Sequence, residues 1–289
     1  MSVIVSIIVP CYKQACYLPE ALQSVLSQTF QDWECIIVND GSPDKTEEVA
    51  RQFITADSRI KYIYQENQGV SATRNNAVAH STGKYILPLD ADDIIMPTYL
   101  QKAVDYLESH PECNIVTCKA KMFGAMNKNW VFDDYDYSEL KWKNTIMNSS
   151  VFRREDFDRT SGYNVNMVHG YEDWEFWITL LNENSKVHRL DEFLYYYRKA
   201  KNSRNINAYR HDKELSEQIV MNHLDLYSDS MHDILYYHKK LREAEEELNR
   251  IKSTPQYKAW KCLTFPLRIL VDKVHGLVIM RELNAIIKK

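Results

Sequence analysis

Tyr85 to Pro97 reads YILPLDADDIIMP, an apolar run that stops at Asp90, Asp92 and Asp93 and then turns apolar again. Carboxylates this close repel and raise one another's pKa, so the group calls for a positive partner. Mg2+ or Mn2+ answers that need, because such ions share their shell between one or two carboxylates and a substrate's phosphates. The competing reading is a cap for a helix opening near Pro97, which accounts for one acid, two at most. A second candidate is Asp40 in VNDGS. It either accepts hydrogen bonds from a base or ribose edge, or closes an Asp-Gly turn on its own backbone.

The elements that must position these acids alternate in type. Apolar strands are expected at Val5–Val9, Glu34–Val38, Ile60–Tyr64, Lys84–Leu89 and Asn114–Ala120. Between them fall helices: Leu18–Gln28, a segment capped by Ser42-Pro43 and running to about Ile54, Val70–His80, and Pro97 to about Ser109. Continuous apolar strands, each followed by an amphipathic helix, predict a parallel sheet covered on both faces. Such sheets bind ligands beyond the carboxyl ends of their strands. The residues that follow each strand are therefore the informative ones: Pro10 and Tyr12, then Asp40, then Asn67 and Gly69, then the three acids.

Several classes are excluded. No GxGxxG follows the first strand, and Gly83-Lys84 lacks the preceding glycine of a P-loop. A net charge of −4 gives no reason to expect nucleic acid. Six cysteines without CxxC or zinc spacing predict reduced thiols in a cytosolic protein. MSVIVSIIVP lacks a basic leader region and reads as a strand. No apolar run approaches the roughly 18 residues of a spanning helix.

Three stretches in order, VSIIVPCYKQACYLPEALQSVLSQTFQDWECIIVNDGSPDKT, ENQGVSATRNNAVAHSTGKYILPLDADD and GYEDWEFWITLL, resemble the large family 2 glycosyltransferases. The resemblance covers roughly residues 2–205. It implies a GT-A fold: an α/β, Rossmann-like, mostly parallel sheet flanked by helices, here with a C-terminal helical extension. Residues 1–110 would form the nucleotide-sugar half of the catalytic domain, 111–205 the acceptor half, and 206–289 the extension.

The resemblance assigns roles. Pro10 and Tyr12 contact the nucleotide, Asp40 recognises the base, and Asn67, Gly69 and Arg74 belong to the nucleotide floor. An internal salt bridge is an equal reading for Arg74. Asp90 lies toward the ribose and Asp92 reaches the metal, Mn2+ or Mg2+. Asp173 of Glu172-Asp173 is the general base, since successive helical residues diverge by about 100° and only one can face the reaction. Lys13 replaces the family's usual asparagine in PxYN. Ala200 stands where many members carry a metal-binding histidine, leaving Arg198 or Lys201 to supply charge to the diphosphate, or the metal to keep an extra water.

The implied function is an inverting, metal-dependent hexosyl transfer from a nucleotide-sugar donor, a UDP-sugar by preference. The acceptor would be a saccharide or lipid-linked saccharide in surface polysaccharide synthesis. Trp130, Tyr135, Tyr137 and Trp142 are candidates to stack on acceptor sugars, with local packing as the commoner role of such residues. Leu224, Tyr227, Met231, Ile234 and Leu241 fall at partial heptad positions. From Gln256 onward seven basic residues face two acidic ones, a balance of +5 on an amphipathic tail. These features predict peripheral contact with the inner face of the cytoplasmic membrane, or a homodimer through the C-terminal helices. Two alternatives remain: a sugar nucleotidyltransferase, which would want a Gly-rich basic loop after the first strand, and a non-catalytic scaffold that binds nucleotide sugars.

Overall fold

Val5, Ile7, Ile8 and Val9 lose all contact with solvent, which is what a strand buried on both faces requires. They belong to β1 (Val5–Cys11). A computed structural model describes residues 3–199, 210–228 and 231–254, with side chains from 242 onward in the last stretch. Beside β1 run β2 (Trp33–Asp40), β3 (Ile60–Gln65) and β4 (Tyr85–Pro88), all parallel, in the order β3-β2-β1-β4. Helices α1 (Leu18–Leu26), α2 (Thr46–Ala56) and α3 (Val70–Ala79) are the crossovers.

Two helix starts differ from expectation. α2 opens at Thr46, not at Ser42-Pro43, because the Ser42 hydroxyl is engaged elsewhere: it accepts from Lys13 N at 2.7 Å and donates to Asp44 at 2.6 Å. α4 (Tyr99–Ser109) opens two residues after Pro97, and neither Asp92 nor Asp93 caps it.

The chain then builds β5 (Ile94–Ile95), β6 (Cys113–Gly124), β7 (Lys128–Trp130), α5 (Tyr137–Leu140), β8 (Val151–Arg153), α6 (Arg154–Phe157), α7 (Glu172–Leu180) and β9 (Lys186–Lys199). β8 lies antiparallel between β4 and β6, so β6 points the same way as β4. β9 pairs parallel with β6, and the sheet continues β4-β8-β6-β9-β5, with β7 on β6. The α/β class with a parallel first half is as expected. The second half is mixed, and β8 and β9 escape a reading of hydrophobic pattern. In β9, Asp191 and Glu192 interrupt the alternation where the register with β6 slips between Cys118/Leu190 and Lys119/Phe193, as a bulge does.

In α7, Trp174, Phe176, Trp177 and Ile178 are all buried, so the helix is covered on nearly every side. Tyr171 precedes the helix in a left-handed conformation (φ 58°).

Residues 1–219 form one compact unit and 220–289 a second. Helices α8 (Asp212–Asn222), α9 (Leu224–Tyr227) and α10 (Met231–Ser253) complete the described elements. None of the described helices is long and apolar enough to cross a membrane. The side chains of Met231, Ile234 and Leu241, together with Ala200, Lys201, Cys262 and the basic tail, lie outside the described residues. Cys11, Cys16, Cys35, Cys113 and Cys118 are free thiols.

Candidate active site

The four parallel strands deliver the expected residues to one edge. Pro10 is buried in the last turn of β1 beside Val38, and Tyr12 emerges just past it, 42% exposed. Lys13 follows in the left-handed region (φ 58°), its ammonium 4.8 Å from the Tyr12 ring centre. The loop is knotted to the one after β2 by Asp44. That carboxylate accepts from Ala15 N at 2.9 Å and from the Ser42 and Thr46 hydroxyls at 2.6 Å each.

Asp40 ends β2 and is 3% exposed. Its Oδ1 accepts from Gln65 Nε2 at 2.7 Å and Gln68 N at 2.8 Å, and its Oδ2 from Gly69 N at 3.0 Å. Its backbone carbonyl accepts from Asn67 Nδ2 at 2.8 Å. The carboxylate therefore does not close its own turn; it shapes the Asn67–Gly69 loop. Gly69 has open space around its α-carbon, so glycine is required there by its φ of 86°.

Past β4 the three acids separate by role. Asp93 is fully buried, accepting from the Tyr195 hydroxyl and, at 2.7 Å, from Arg198 N. Burial, with Asp92 and Asp90 nearby, holds its pKa well above the usual range. Asp92 is pushed up to about 6 by burial and by Asp90. Asp90 is partly exposed and accepts from Arg74 Nη2 at 2.8 Å.

Arg74 is 2% exposed, so the internal bridge is its role and it does not line the cleft. Burial disfavours its charge, yet Asp90 and Glu172 together keep it firmly protonated. Its Nη1 donates to Glu172 Oε1 at 3.1 Å, and its guanidinium lies 5.3 Å from the Tyr163 ring centre. That leaves Asp173, the next residue on α7, to face the acids. Its Oδ1 accepts from Trp174 N at 2.8 Å and its Oδ2 from Asn144 Nδ2 at 3.1 Å. Burial and Glu172 push its pKa up to about 6, and it also feels Asp90. Burial raises the pKa of the Tyr197 phenol, and Asp93, Asp90, Asp92 and Asp173 add to the shift in that order.

Arg198 is committed within the fold. Its Nε donates to the Asp92 carbonyl at 2.8 Å and its Nη2 to Glu20 at 2.6 Å, while Tyr17 and Phe123 lie against its guanidinium. It fastens the acidic turn to α1, in place of the diphosphate contact expected of it. Trp130 packs on Phe132 and Tyr197 at 4.7 Å each, whereas Trp142 is 47% exposed. Sequence reasoning missed Asn144 and Tyr163, which lie in stretches without periodicity. It also missed Glu20 and Asp44, whose partners are distant in sequence.

Among the described residues, no group of three or more His, Cys, Asp or Glu gathers to hold a metal by protein ligands alone. Asp90 and Asp92 offer hard oxygen donors. Asp92 is crowded by a like charge, which is the chemistry that fits Mn2+ or Mg2+ completed by phosphate oxygens and water.

A curled sheet that brings carboxylates to the carboxyl ends of its strands, with a second half entered by an antiparallel strand, defines the GT-A fold. The chain belongs to glycosyl transferase family 2, whose family model matches residues 6–170. It is 30% identical over 215 residues to the uncharacterized glycosyltransferase EpsJ of Bacillus subtilis, covering 69% of this chain and 62% of EpsJ. It is 28% identical over 221 residues to the putative teichuronic acid biosynthesis glycosyltransferase TuaG of the same organism, covering 73% and 85%. Among solved structures, S. aureus TarS 1-349 in complex with UDP-GlcNAc is similar with a TM-score of 0.61 at 22% identity, over 70% of this chain and 60% of that one. The mannosyltransferase PcManGT from Pyrobaculum calidifontis, in complex with GDP-Man and Mn2+, is similar with a TM-score of 0.56 at 16% identity, over 89% and 83%.

Proposed function

We propose that the chain is an inverting, divalent-metal-dependent glycosyltransferase. It takes a sugar from a UDP-sugar to a saccharide or lipid-linked saccharide acceptor in surface polysaccharide synthesis. One observation carries the reading: Arg74 joins Asp90, at the end of the strand that would hold the donor, to Glu172, beside the carboxylate that would serve as base.

Pro10, Tyr12, Asp40, Asn67 and Gly69 form the nucleoside side of the cleft, with Asp40 either touching the base through its remaining lone pair or shaping the loop that does. Asp92 and Asp90 would hold Mn2+ or Mg2+, which supplies charge neutralisation for the leaving diphosphate. Asp173 takes the proton from the acceptor hydroxyl on the opposite face of the sugar ring, a contribution of about 10²–10⁴-fold. A single in-line displacement inverts the anomeric carbon, so an α-linked donor gives a β-product and no covalent nucleophile is needed.

The UDP preference follows the likeness to the TarS complex, and the polysaccharide context follows the name of TuaG. The basic, aromatic-studded tail from Gln256 supports a lipid-linked acceptor and a peripheral position on the inner membrane face. The heptad residues support the competing homodimer. The test is hydrolysis of a panel of UDP-, GDP- and dTDP-sugars with and without Mn2+. Nucleotide release that needs the metal is expected. Silence across the panel, with no nucleotide-induced thermal shift, would leave a scaffold as the better description.

A further inference from the structure

We infer that Asn144 is the positioning residue for the base carboxylate, fixing the plane in which Asp173 presents its remaining lone pairs to a proton. The inference rests on the reading of Asp173 as base. Asp173 sits at the second position of α7, where its Oδ1 is taken by the backbone N–H of Trp174 at 2.8 Å. Asn144 Nδ2 donates to Oδ2 at 3.1 Å from the loop between α5 and β8.

The orientation of the Asn144 amide is set by a second bond. Its Oδ1 accepts from Ile146 N at 3.1 Å, so the amide nitrogen must be the atom that faces Asp173. The loop is fastened at a second point by the neighbouring helix residue, Trp174, whose indole Nε1 donates to Leu140 O at 2.6 Å. Consecutive residues of α7 thus hold the end of α5 and the loop that follows it, and the carboxylate plane is pinned between its own helix and that loop.

An amide cannot ionise, so Asn144 moves no proton itself. Its effect is to hold the carboxylate's rotamer and to favour its charged form. Trp174 N acts in the same sense from within the helix, and the remaining groups around Asp173 act in the opposite sense or from a distance. Glu172 on its own helix and Asp90 past β4 repel its charge, and Arg74 on α3 attracts it. Tyr163, from the loop before α7, and Tyr197, from β9, stay neutral, their pKa values raised by burial and further by Asp173 among other acids. Among the described contacts, Asn144 is the donor that reaches Oδ2 from outside the helix. A base oriented by a third group is the arrangement that general-base catalysis needs.

Asn144→Asp separates this role from a merely structural one. It keeps the shape and the oxygen that accepts from Ile146 N, but replaces the donor to Asp173 with a carboxylate. The probe is the UDP-sugar that the wild-type chain hydrolyses fastest with Mn2+, water being the acceptor. Asn144→Asp and Asn144→Ala are expected to lower kcat by about tenfold to a hundredfold, the range for removing a partner that orients a reacting group. KM for the donor and the calorimetric affinity for UDP with Mn2+ should stay within about twofold, and the acid limb of the kcat profile should move to higher pH in Asn144→Asp. Wild-type kcat in Asn144→Asp would overturn the inference, as would a fall in kcat matched by an equal loss of UDP affinity. The underlying reading is judged separately by Asp173→Asn. If that variant turns over normally, or if the wild-type chain hydrolyses no UDP-sugar, Asp173 is not the base and the inference falls with it.

Discussion

Arg74 donates to Glu172 at 3.1 Å across 98 positions of sequence, and with its other nitrogen holds Asp90 at 2.8 Å. The end of β4 and the start of α7 are thereby joined by one buried cation. Breaking a buried ion pair by removing one partner typically costs about 3–5 kcal/mol, because the remaining charge is left without compensation. Arg74→Ala should therefore lose about 3 kcal/mol or more in urea unfolding. Arg74→Lys, which has one nitrogen to offer two carboxylates, should fold with a smaller loss. Wild-type stability in Arg74→Ala would show that the bridge is incidental.

Asp92 and Asp173 are expected to fail in different ways. Asp92→Asn should abolish the Mn2+-dependent part of UDP affinity, read by calorimetry. Asp173→Asn should bind UDP with Mn2+ as the wild type does and yet release no nucleotide from a UDP-sugar. Unchanged turnover in Asp173→Asn would mean that another group serves as base.

The pH dependence follows from the same carboxylates. A base carboxylate at Asp173, as proposed, must be ionised to accept a proton, and burial with Glu172 beside it pushes its pKa up to about 6. With donor saturating, kcat should fall roughly tenfold per pH unit below about 6, and level off above it. In the metal-free protein the same two acids contribute to stability with the opposite trend. Asp92 and Asp173 both titrate higher in the folded chain than in the unfolded one, so these two groups hold more protons in the folded state between about pH 4 and 6. Their contribution to stability then declines as pH rises through that window, read as the pH dependence of the melting-temperature difference between the wild type and an Asp92→Asn, Asp173→Asn double variant.

The first four strands can be read from the sequence because burial on both faces demands unbroken apolar runs, and the ligand edge follows from their direction. Asp173 is reached by another route, the resemblance of GYEDWEFWITLL to the later helix of family 2 glycosyltransferases. What escapes are features set by partners far along the chain. Ser42 carries the composition of a cap but is recruited by Lys13 and Asp44. β9 hides its period behind the Asp191-Glu192 bulge. Asn144 and Tyr163 gain meaning only when the fold sets them against Asp173 and Arg74.

Arg198 is the third tie on the site, and its loss should be felt at the acidic turn. It clamps the Asp92 carbonyl and reaches Glu20, while its own N–H holds Asp93. Arg198→Met keeps the length of the side chain and the backbone bond but removes the clamp. Mn2+-dependent UDP affinity should fall about tenfold, in the range seen when the partner of a metal-holding group is removed. Unaltered affinity would mean that the turn is stiff without it.

Lys13 offers a prediction of gain. Its φ of 58° puts a long side chain in the left-handed region, at a cost of roughly 1–2 kcal/mol relative to ordinary backbone. Asparagine, the family's usual residue at this place, visits that region far more readily because its short polar side chain bonds locally. The position is held there by the backbone, since Lys13 N donates to Ser42 Oγ at 2.7 Å whatever the side chain. The ammonium's approach to Tyr12, two-fifths exposed, is worth about 0.5–1 kcal/mol, which offsets part of the benefit. Lys13→Asn should raise the unfolding free energy by about 0.5 kcal/mol in urea, with the slope of the transition unchanged. A lower midpoint would show that the lysine's contact with Tyr12 outweighs the backbone strain.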